Sequence, residues 1–215
     1  ATEQRGPNIT EVLPKRTVRV DPEGSLCTSR LVLRPLRATD RPEFLRVIAL
    51  TRDVLDVWLP LHEPDEDDDA LFDRQLRLTT EGDLHGTAFR RAGFLADGRL
   101  AGCFNLTRIS RGLAFEADIN WWVCPEAAGQ GLATEGAQAL VDHALRDLPA
   151  GLGLHRVTAG ILPGNIASQR LAKRLGFRQL DGVRVSLSAG GAWANHEMWV
   201  AEPKLEVEEP AESAA

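Results

Sequence analysis

The residues best suited to bind a ligand form a short turn at positions 128–135, with the sequence Ala-Gly-Gln-Gly-Leu-Ala-Thr-Glu. The turn follows an aromatic strand candidate and precedes the most regular helical pattern of the chain. Glycine and alanine let backbone N–H groups approach a ligand, and the helix dipole adds partial positive charge. This combination predicts a site for an anion such as a pyrophosphate. A P-loop is excluded because no Lys-Ser/Thr follows, and a dinucleotide fingerprint is excluded because position 134 is Thr.

A second segment, from Asn165 to Phe177, predicts a short helix that begins 34 residues after Gly131. Asn165 is a typical N-cap residue, and Gly176 stands where a helix commonly ends. Together the two segments resemble the GNAT acetyltransferases. The opening run from Leu31 to Leu36, the run from Trp122 to Glu126, and His196 are similar to the RimJ/RimL-type branch, which includes N-terminal acetyltransferases of ribosomal proteins. The resemblance covers roughly residues 30 to 202.

This resemblance implies an N-acetyltransferase that transfers an acyl group from acetyl-CoA, or another acyl-CoA, to a primary amine. In the family, the strand before the glycine turn parts from its neighbour and pairs with the pantetheine arm. The turn then binds the pyrophosphate, and the Asn-x-x-Ser helix flanks the rest of the cofactor. The cofactor-binding residues that the resemblance implies are Trp122, Val123, Ala128, Gly129, Gln130, Gly131, Leu132, Ala133, Asn165, Ser168, Lys173 and Arg174.

Acyl transfer to an amine needs a base, a donor for the oxyanion and an acid for the leaving sulfur. A backbone N–H near Val123 is the expected oxyanion donor. Glu116 and Asp118, which share one strand face by parity, are the candidate bases, and a solvated strand face is the alternative explanation of both residues. Ser168 is the leading candidate for the acid because RimL-like enzymes have a serine in this motif. A serine near a helix start also often satisfies backbone donors, so that alternative stays open.

The sequence departs from the family pattern at two points. Ala128 stands where the family commonly has Arg or Gln, so Gln130, or Lys173 and Arg174, are the candidates to compensate. The chain also contains no tyrosine, although many relatives use one to protonate the thiolate. Both departures keep open a catalytically silent CoA-binding sensor. For an active enzyme the acceptor is a peptide N-terminus or a small molecule, and a succinyltransferase is a further alternative.

Composition limits the remaining function classes. A net charge of −6 argues against a nucleic-acid partner, and no apolar run is long enough to span a membrane. Three cysteines without a CxxC pair and five scattered histidines predict neither a disulfide framework nor a metal site. We therefore expect a cytoplasmic enzyme without a metal. A homodimer is among the oligomeric states that the sequence leaves open.

The elements that must position these residues predict a mixed α/β (α+β) domain with a mostly antiparallel sheet of about seven strands. Asp97-Gly98 predicts a hairpin turn between two strands, and a third strand ends at Cys124. The expected division is an N-terminal extension at 1–29, an acyltransferase domain at 30–202 and a flexible acidic tail at 203–215. The acidic run 65–69 predicts a helix start, with an amine-attracting rim as the alternative.

Overall fold

The computed structural model describes residues 19–21, 24–189 and 192–203. Within these residues, a mixed sheet of nine strands is flanked by four α-helices. The strands are β1 (Arg19–Val20), β2 (Leu26–Cys27), β3 (Val32–Arg34), β4 (Phe89–Phe94), β5 (Leu100–Ser110), β6 (Glu116–Val123), β7 (Arg156–Ile161), β8 (Arg178–Ala189) and β9 (Ala192–Ala201). The helices are α1 (Arg41–Trp58), α2 (Asp68–His85), α3 (Leu132–Leu145) and α4 (Ile166–Arg174). This α/β architecture confirms the predicted fold class.

The strand order is β1-β2-β3-β4-β5-β6-β7-β9-β8, and among these pairings only β6 with β7 is parallel. A parallel pair needs a crossover connection, which here contains α3. The end of β6 is therefore joined to the start of α3 by a short segment, which holds the predicted anion-binding turn.

Two local predictions are confirmed. Gly98 has a φ of +87° in the tight turn between β4 and β5, as the Asp-Gly pair predicts. The acidic run lies at the start of α2. Asp67 is the N-cap residue of this helix, and its carboxylate accepts a hydrogen bond of 2.8 Å from the backbone N–H of Ala70. Asp68 pairs with His62 and Arg52, so this part of the run is occupied by contacts within the protein.

Helix α3 packs directly on the sheet. A Cβ atom on Gly136 would lie 2.4 Å from the Phe104 ring, so the helix approaches β5 as closely as only glycine allows. Ala137, Leu140 and Ala144 are fully buried, as the helical spacing of the apolar residues predicts. This contact fixes the start of α3 relative to the central strands.

The structure differs from the prediction at the N-terminal side. The two strands beyond the expected seven are β1 and β2, which lie in the segment predicted as an extension and continue the sheet next to β3. Residues 1–18 and 22–23 of that extension, residues 204–215 of the predicted tail and residues 190–191 lie outside the described residues. None of the helices in the described ranges is both long and apolar enough to cross a membrane.

Candidate active site

The central feature of the site is a gap between two parallel strands. β6 and β7 pair only where residues 116–118 face residues 156–158, and both strands continue beyond that point. Residues 119–123 of β6 and 159–161 of β7 then line opposite walls of a cavity of about 500 Å³, called here the larger cavity. This parting is the geometry that the family resemblance implies for the strand before the glycine turn.

The open edge of β6 presents backbone donors to the larger cavity. The N–H of Cys124 donates to the carbonyl of Ala101 at 2.8 Å, which sets the alternation of the β5–β6 ladder. In an antiparallel ladder alternate N–H groups point to opposite sides, so those of Trp121 and Val123 point away from β5. The N–H of Val123 therefore stands where the sequence predicts an oxyanion donor.

The turn between β6 and α3 has the backbone shape of an anion site. Gly129 and Gly131 have φ values of +72° and +79°, a region that other residues rarely adopt. Gly131 is the N-cap residue of α3, so the free N–H groups of the first helical turn lie beside it. Ala128, Gly129, Gly131 and Ala133 all line the larger cavity, which brings the helix N-terminus and the open edge of β6 to one space.

A carboxylate in the first turn of α3 braces this loop. Glu135 accepts hydrogen bonds from the Thr28 hydroxyl at 2.7 Å and from the Arg30 backbone N–H at 2.8 Å. The Arg30 guanidinium pairs with the same carboxylate and also donates to the carbonyl of Gln130 at 2.9 Å. Burial raises the pKa of Glu135, but the hydrogen bonds from Thr28 and Arg30 outweigh it and lower the pKa to about 2. The carboxylate is therefore ionised at neutral pH.

Helix α4 supplies the other wall of the larger cavity. The Asn165 side chain caps the helix by accepting from the Ser168 backbone N–H at 3.1 Å. The Ser168 hydroxyl has no hydrogen-bond partner among the described residues, so it is not used to satisfy the helix start. Arg170 and Arg174, one turn apart, also line the cavity and bring positive charge to it.

Most of the residues that the resemblance assigned to the cofactor meet at the larger cavity: Trp122, Val123, Ala128, Gly129, Gly131, Ala133, Asn165, Ser168 and Arg174. Three others do not line it. The Gln130 side chain turns back and donates to the carbonyl of Glu126 at 2.7 Å, and Leu132 is buried in the core. The Lys173 ammonium lies 5.8 Å from the centre of the Trp199 ring.

The two candidate bases lie at the paired end of β6, outside the lining of the larger cavity. Glu116 is half exposed, and its carboxylate is 3.9 Å from the Arg156 guanidinium. Asp118 contacts the Thr158 hydroxyl and the Arg108 guanidinium. Both carboxylates therefore lie away from the parted strands, and either one could act as a base only through water.

A second space of about 200 Å³, called here the smaller cavity, lies against the same sheet beside α1 and α2. Leu59, Asn120 and Trp122 line both cavities, so the two spaces adjoin at the middle of β6. The Asn105 amide donates to the Asn120 side-chain oxygen at 2.9 Å across this junction. The arrangement therefore provides two neighbouring spaces on the same sheet.

Sequence reasoning missed several lining residues. Arg170 was within the recognised Asn-x-x-Ser helix, and its spacing of four from Arg174 was the signal that both share a face. Thr51, Val54 and Trp58 of α1 reach the larger cavity only through the tertiary fold, which no local pattern indicates. Among the described residues, no group of His, Cys, Asp or Glu side chains is arranged to hold a metal ion.

Comparison with known proteins agrees with this geometry. Residues 30–178 match the family model described as an acetyltransferase (GNAT) domain. A probable N-acetyltransferase of Bacillus subtilis is 28% identical over 173 residues, covering 78% of this chain and 91% of that protein. The [ribosomal protein uS5]-alanine N-acetyltransferase of Escherichia coli is 26% identical over 176 residues, covering 81% of this chain and 89% of that enzyme.

Among solved structures, RimJ of Mycobacterium smegmatis in complex with a CoA disulfide superposes with a TM-score of 0.71 at 24% identity. The match covers 83% of this chain and 84% of that one. It bears out the expected fold.

We predict that Glu135→Gln weakens acyl-CoA binding about tenfold. The change removes the charge that holds Arg30, so the Gln130 carbonyl and the loop lose their brace, and ordering the loop then costs binding free energy. Calorimetric titration with CoA measures the effect. Glu126→Gln is the matched control because Glu126 is exposed, pairs with Arg46 and lies outside the cavity.

The same pair of variants has a pH signature. A carboxylate with a lowered pKa stabilises the fold above its unfolded pKa and loses that contribution as the pH falls through its folded value. The free energy of unfolding of the wild type should therefore exceed that of Glu135→Gln by its full amount above about pH 5. The difference should shrink as the pH falls towards 2. Equal CoA affinity in Glu135→Gln and the wild type would show that the brace does not shape the loop.

Proposed function

This chain belongs to the acetyltransferase (GNAT) family and is an acyl-CoA-dependent N-acetyltransferase, and we propose that it acetylates the α-amine of a protein N-terminus with acetyl-CoA. The smaller cavity carries the proposal for the acceptor. None of its described lining residues is a carboxylate, whereas Arg90, for which the described residues provide no ion pair, lines it. Such a cavity is unfavourable for a polyamine, which would bring several positive charges to the same place. The uS5-alanine activity of the E. coli relative supports a peptide acceptor.

The donor is held mainly by backbone. The N–H groups at the start of α3 and the turn with Gly129 and Gly131 face the pyrophosphate, with the helix dipole adding to their charge. Arg170 and Arg174 supply side-chain cations from α4. The open edge of β6 pairs with the amide-bearing arm, which leads the thioester towards Val123.

The chemistry proceeds by attack of the neutral amine on the thioester carbon. The N–H of Val123 stabilises the negative charge that develops on the carbonyl oxygen, an interaction typically worth a few kcal/mol. The C–S bond then breaks and the Ser168 hydroxyl gives its proton to the leaving thiolate, while the proton that the new amide nitrogen must lose restores the hydroxyl. Its lack of another hydrogen-bond partner among the described residues leaves that hydroxyl available.

The amine must lose its proton before it attacks. No described residue that lines either cavity is a carboxylate, so a protein base would act through water. We assign this role to Asp118, because its side chain shares the face of β6 on which Asn120 reaches both cavities. Glu116 is farther along the strand from the junction. A ribosomal acceptor would place the enzyme in the cytoplasm. A homodimer stays among the oligomeric states that the sequence leaves open.

We predict acetylation of short peptides with a free N-terminus. At pH 7.5 about a third of α-amines with a pKa near 7.8 are neutral, against roughly 0.1% of lysine amines. A thiol-release assay with acetyl-CoA should therefore give kcat/KM at least tenfold higher for a free peptide than for the same peptide with a blocked N-terminus and an internal lysine, or for spermidine.

The same assay separates the alternatives. Turnover of spermidine above that of the free peptide would assign a small-molecule acceptor. A higher rate with succinyl-CoA than with acetyl-CoA would assign a succinyltransferase. CoA binding without thiol release for any acceptor would identify a silent sensor and sink the proposed acetylation.

Ser168→Ala should lower kcat by about 10- to 100-fold and leave the KM for the donor nearly unchanged. The reason is that the hydroxyl acts on the leaving sulfur in the transition state and is not needed to hold the cofactor. Steady-state kinetics measure the split. Ser110→Ala is the control, since Ser110 is exposed on β5 and outside both cavities. Equal loss in both variants, or none in Ser168→Ala, removes the role.

Asp118→Asn should lower kcat/KM near pH 7 and have a smaller effect above about pH 9. The base is required only while the amine is protonated, and an α-amine is mostly neutral at the higher pH. The pH profile of peptide acetylation is the measurement, with Glu116→Gln on the same strand face as the comparison. A loss that is constant across the pH range would indicate a structural role through Thr158 and Arg108.

A further inference from the structure

One arginine of the smaller cavity has no anionic partner. The Arg90 Nε atom is buried without a hydrogen-bond partner, and the described residues provide no ion pair for its guanidinium. The other two arginines of the lining are paired: Arg74 with Glu66 at 2.7 Å, and Arg91 with Asp83 at 3.0 Å. Arg90 is partly buried, and a charge removed even partly from water without a counter-ion is unfavourable, so Arg90 stands out from the other cations of this wall.

The groups packed against Arg90 do not neutralise it. Cys103 lies on the neighbouring strand, but burial raises the pKa of its thiol to about 12, so the thiol is uncharged at neutral pH. Burial lowers the pKa of Arg90, and the nearby charge of Arg74 lowers it further. From α2 the cavity receives Gln75, Leu78 and Thr79 besides Arg74, none of which is acidic. A guanidinium keeps its proton in such surroundings because its ordinary pKa is so high.

Arg90 belongs to a row of polar side chains that leads to the reaction centre. Arg90 lies opposite Asn105 in the β4–β5 ladder, and Asn105 lies opposite Asn120 in the β5–β6 ladder. Residues directly opposite in adjacent strands share one face of the sheet, and two strand spacings amount to about 10 Å. Asn120 lines both cavities. The distance from an acceptor amine at the parted strands to Arg90 is therefore about the length of one amino-acid residue with its side chain.

We propose that the smaller cavity binds a carboxylate of the acceptor, with Arg90 as its counter-ion and the Asn105–Asn120 pair between that carboxylate and the reacting amine. The inference rests on the proposed peptide acceptor and names its preferred class: an N-terminal residue with an acidic side chain. A guanidinium presents parallel donors that match a carboxylate, which favours this anion over a cation or an apolar group.

The size of the cavity fits this occupant. A volume of about 200 Å³ equals the space of roughly six or seven water molecules, which is suitable for one polar side chain. Leu36, Phe44 and Leu78 form apolar parts of the wall, so the methylene groups of aspartate or glutamate also find partners.

The test compares peptides that differ only in the charge of the first side chain. Thiol-release kinetics with acetyl-CoA are measured for tetrapeptides that begin with Glu or Gln and with Asp or Asn. We expect kcat/KM to be about 10- to 100-fold higher for each acid than for its amide in the wild type, as for a hydrogen bond to a charged group. In Arg90→Gln the acid-to-amide ratio of kcat/KM should fall to about one. In Arg90→Lys the ratio should lie between that value and the wild-type ratio.

Arg99→Gln is the matched control, because Arg99 is exposed at the β4–β5 turn and pairs with Asp97. It should keep the wild-type ratio. Since each ratio compares two peptides on the same protein, a partly unfolded variant does not distort it. A wild-type ratio of one or less, or a preference that survives in Arg90→Gln, overturns the carboxylate site while leaving peptide acetylation intact.

A separate arm identifies the source of the carboxylate. Free alanine and alaninamide have the same carbon skeleton, and only alanine has an α-carboxylate. Because that carboxylate also raises the pKa of the amine, the alanine/alaninamide ratio in the wild type is compared with the same ratio in Arg90→Gln. Turnover confined to free amino acids, with alanine preferred over alaninamide and the preference lost in Arg90→Gln, supports the carboxylate site and overturns the proposed peptide acceptor. If the enzyme prefers neither the acidic peptides over their amides nor alanine over alaninamide, the carboxylate site itself is overturned.

Discussion

The centre of this protein depends on a limit to strand pairing: β6 and β7 share a parallel ladder over three residue pairs and then part. Backbone groups in a ladder satisfy one another, so beyond the last pair the N–H groups of Trp121 and Val123 need another partner. A ligand with its own carbonyl and amide groups meets that need. The same parting opens the larger cavity and leaves the end of β6 beside the start of α3. Under the proposed function, this one backbone feature shapes the path of the acyl carrier, positions the oxyanion donor and opens the approach to the turn before α3.

The turn itself combines two electrostatic demands that conflict. Glu135 suits the first turn of α3 because a negative charge there complements the helix dipole, yet the same charge would repel a pyrophosphate. Arg30 resolves the conflict: it pairs with Glu135 and donates to the Gln130 carbonyl. The segment from Thr28 to Arg30 therefore contacts the site, although it is more than 100 residues away from Glu135 in sequence. The carboxylate fixes the loop, and the guanidinium offsets its charge.

Local patterns predicted much of the fold and the cofactor side of the site. The start of α3 after the glycine turn, the hairpin at Gly98 and the capping of α4 by Asn165 follow from contacts between near neighbours, which a sequence displays directly. Three features depend on distant partners and escaped prediction. The extent of β6–β7 pairing leaves Glu116 and Asp118 outside the larger cavity. The strands β1 and β2 form only by adding to β3. The contrast between paired and unpaired arginines in the smaller cavity exists only once the helices cover the sheet.

The two departures from the family pattern have a common physical explanation in this geometry. In the proposed binding mode the donor is held chiefly by backbone N–H groups, which every residue except proline supplies, so the absence of a longer side chain at Ala128 would remove a contact without removing the site. Arg170 and Arg174 lie in the same lining and provide charge from α4. The smaller cavity works differently, because its polar character comes from the side chains of Arg90, Asn105 and Asn120. Substitutions in that row can change which acceptor is bound while the backbone that holds the donor stays in place. In the proposed mechanism, recognition of the acyl carrier and recognition of the amine are thus separable, and the two cavities meet at the shared wall of Asn120 and Trp122.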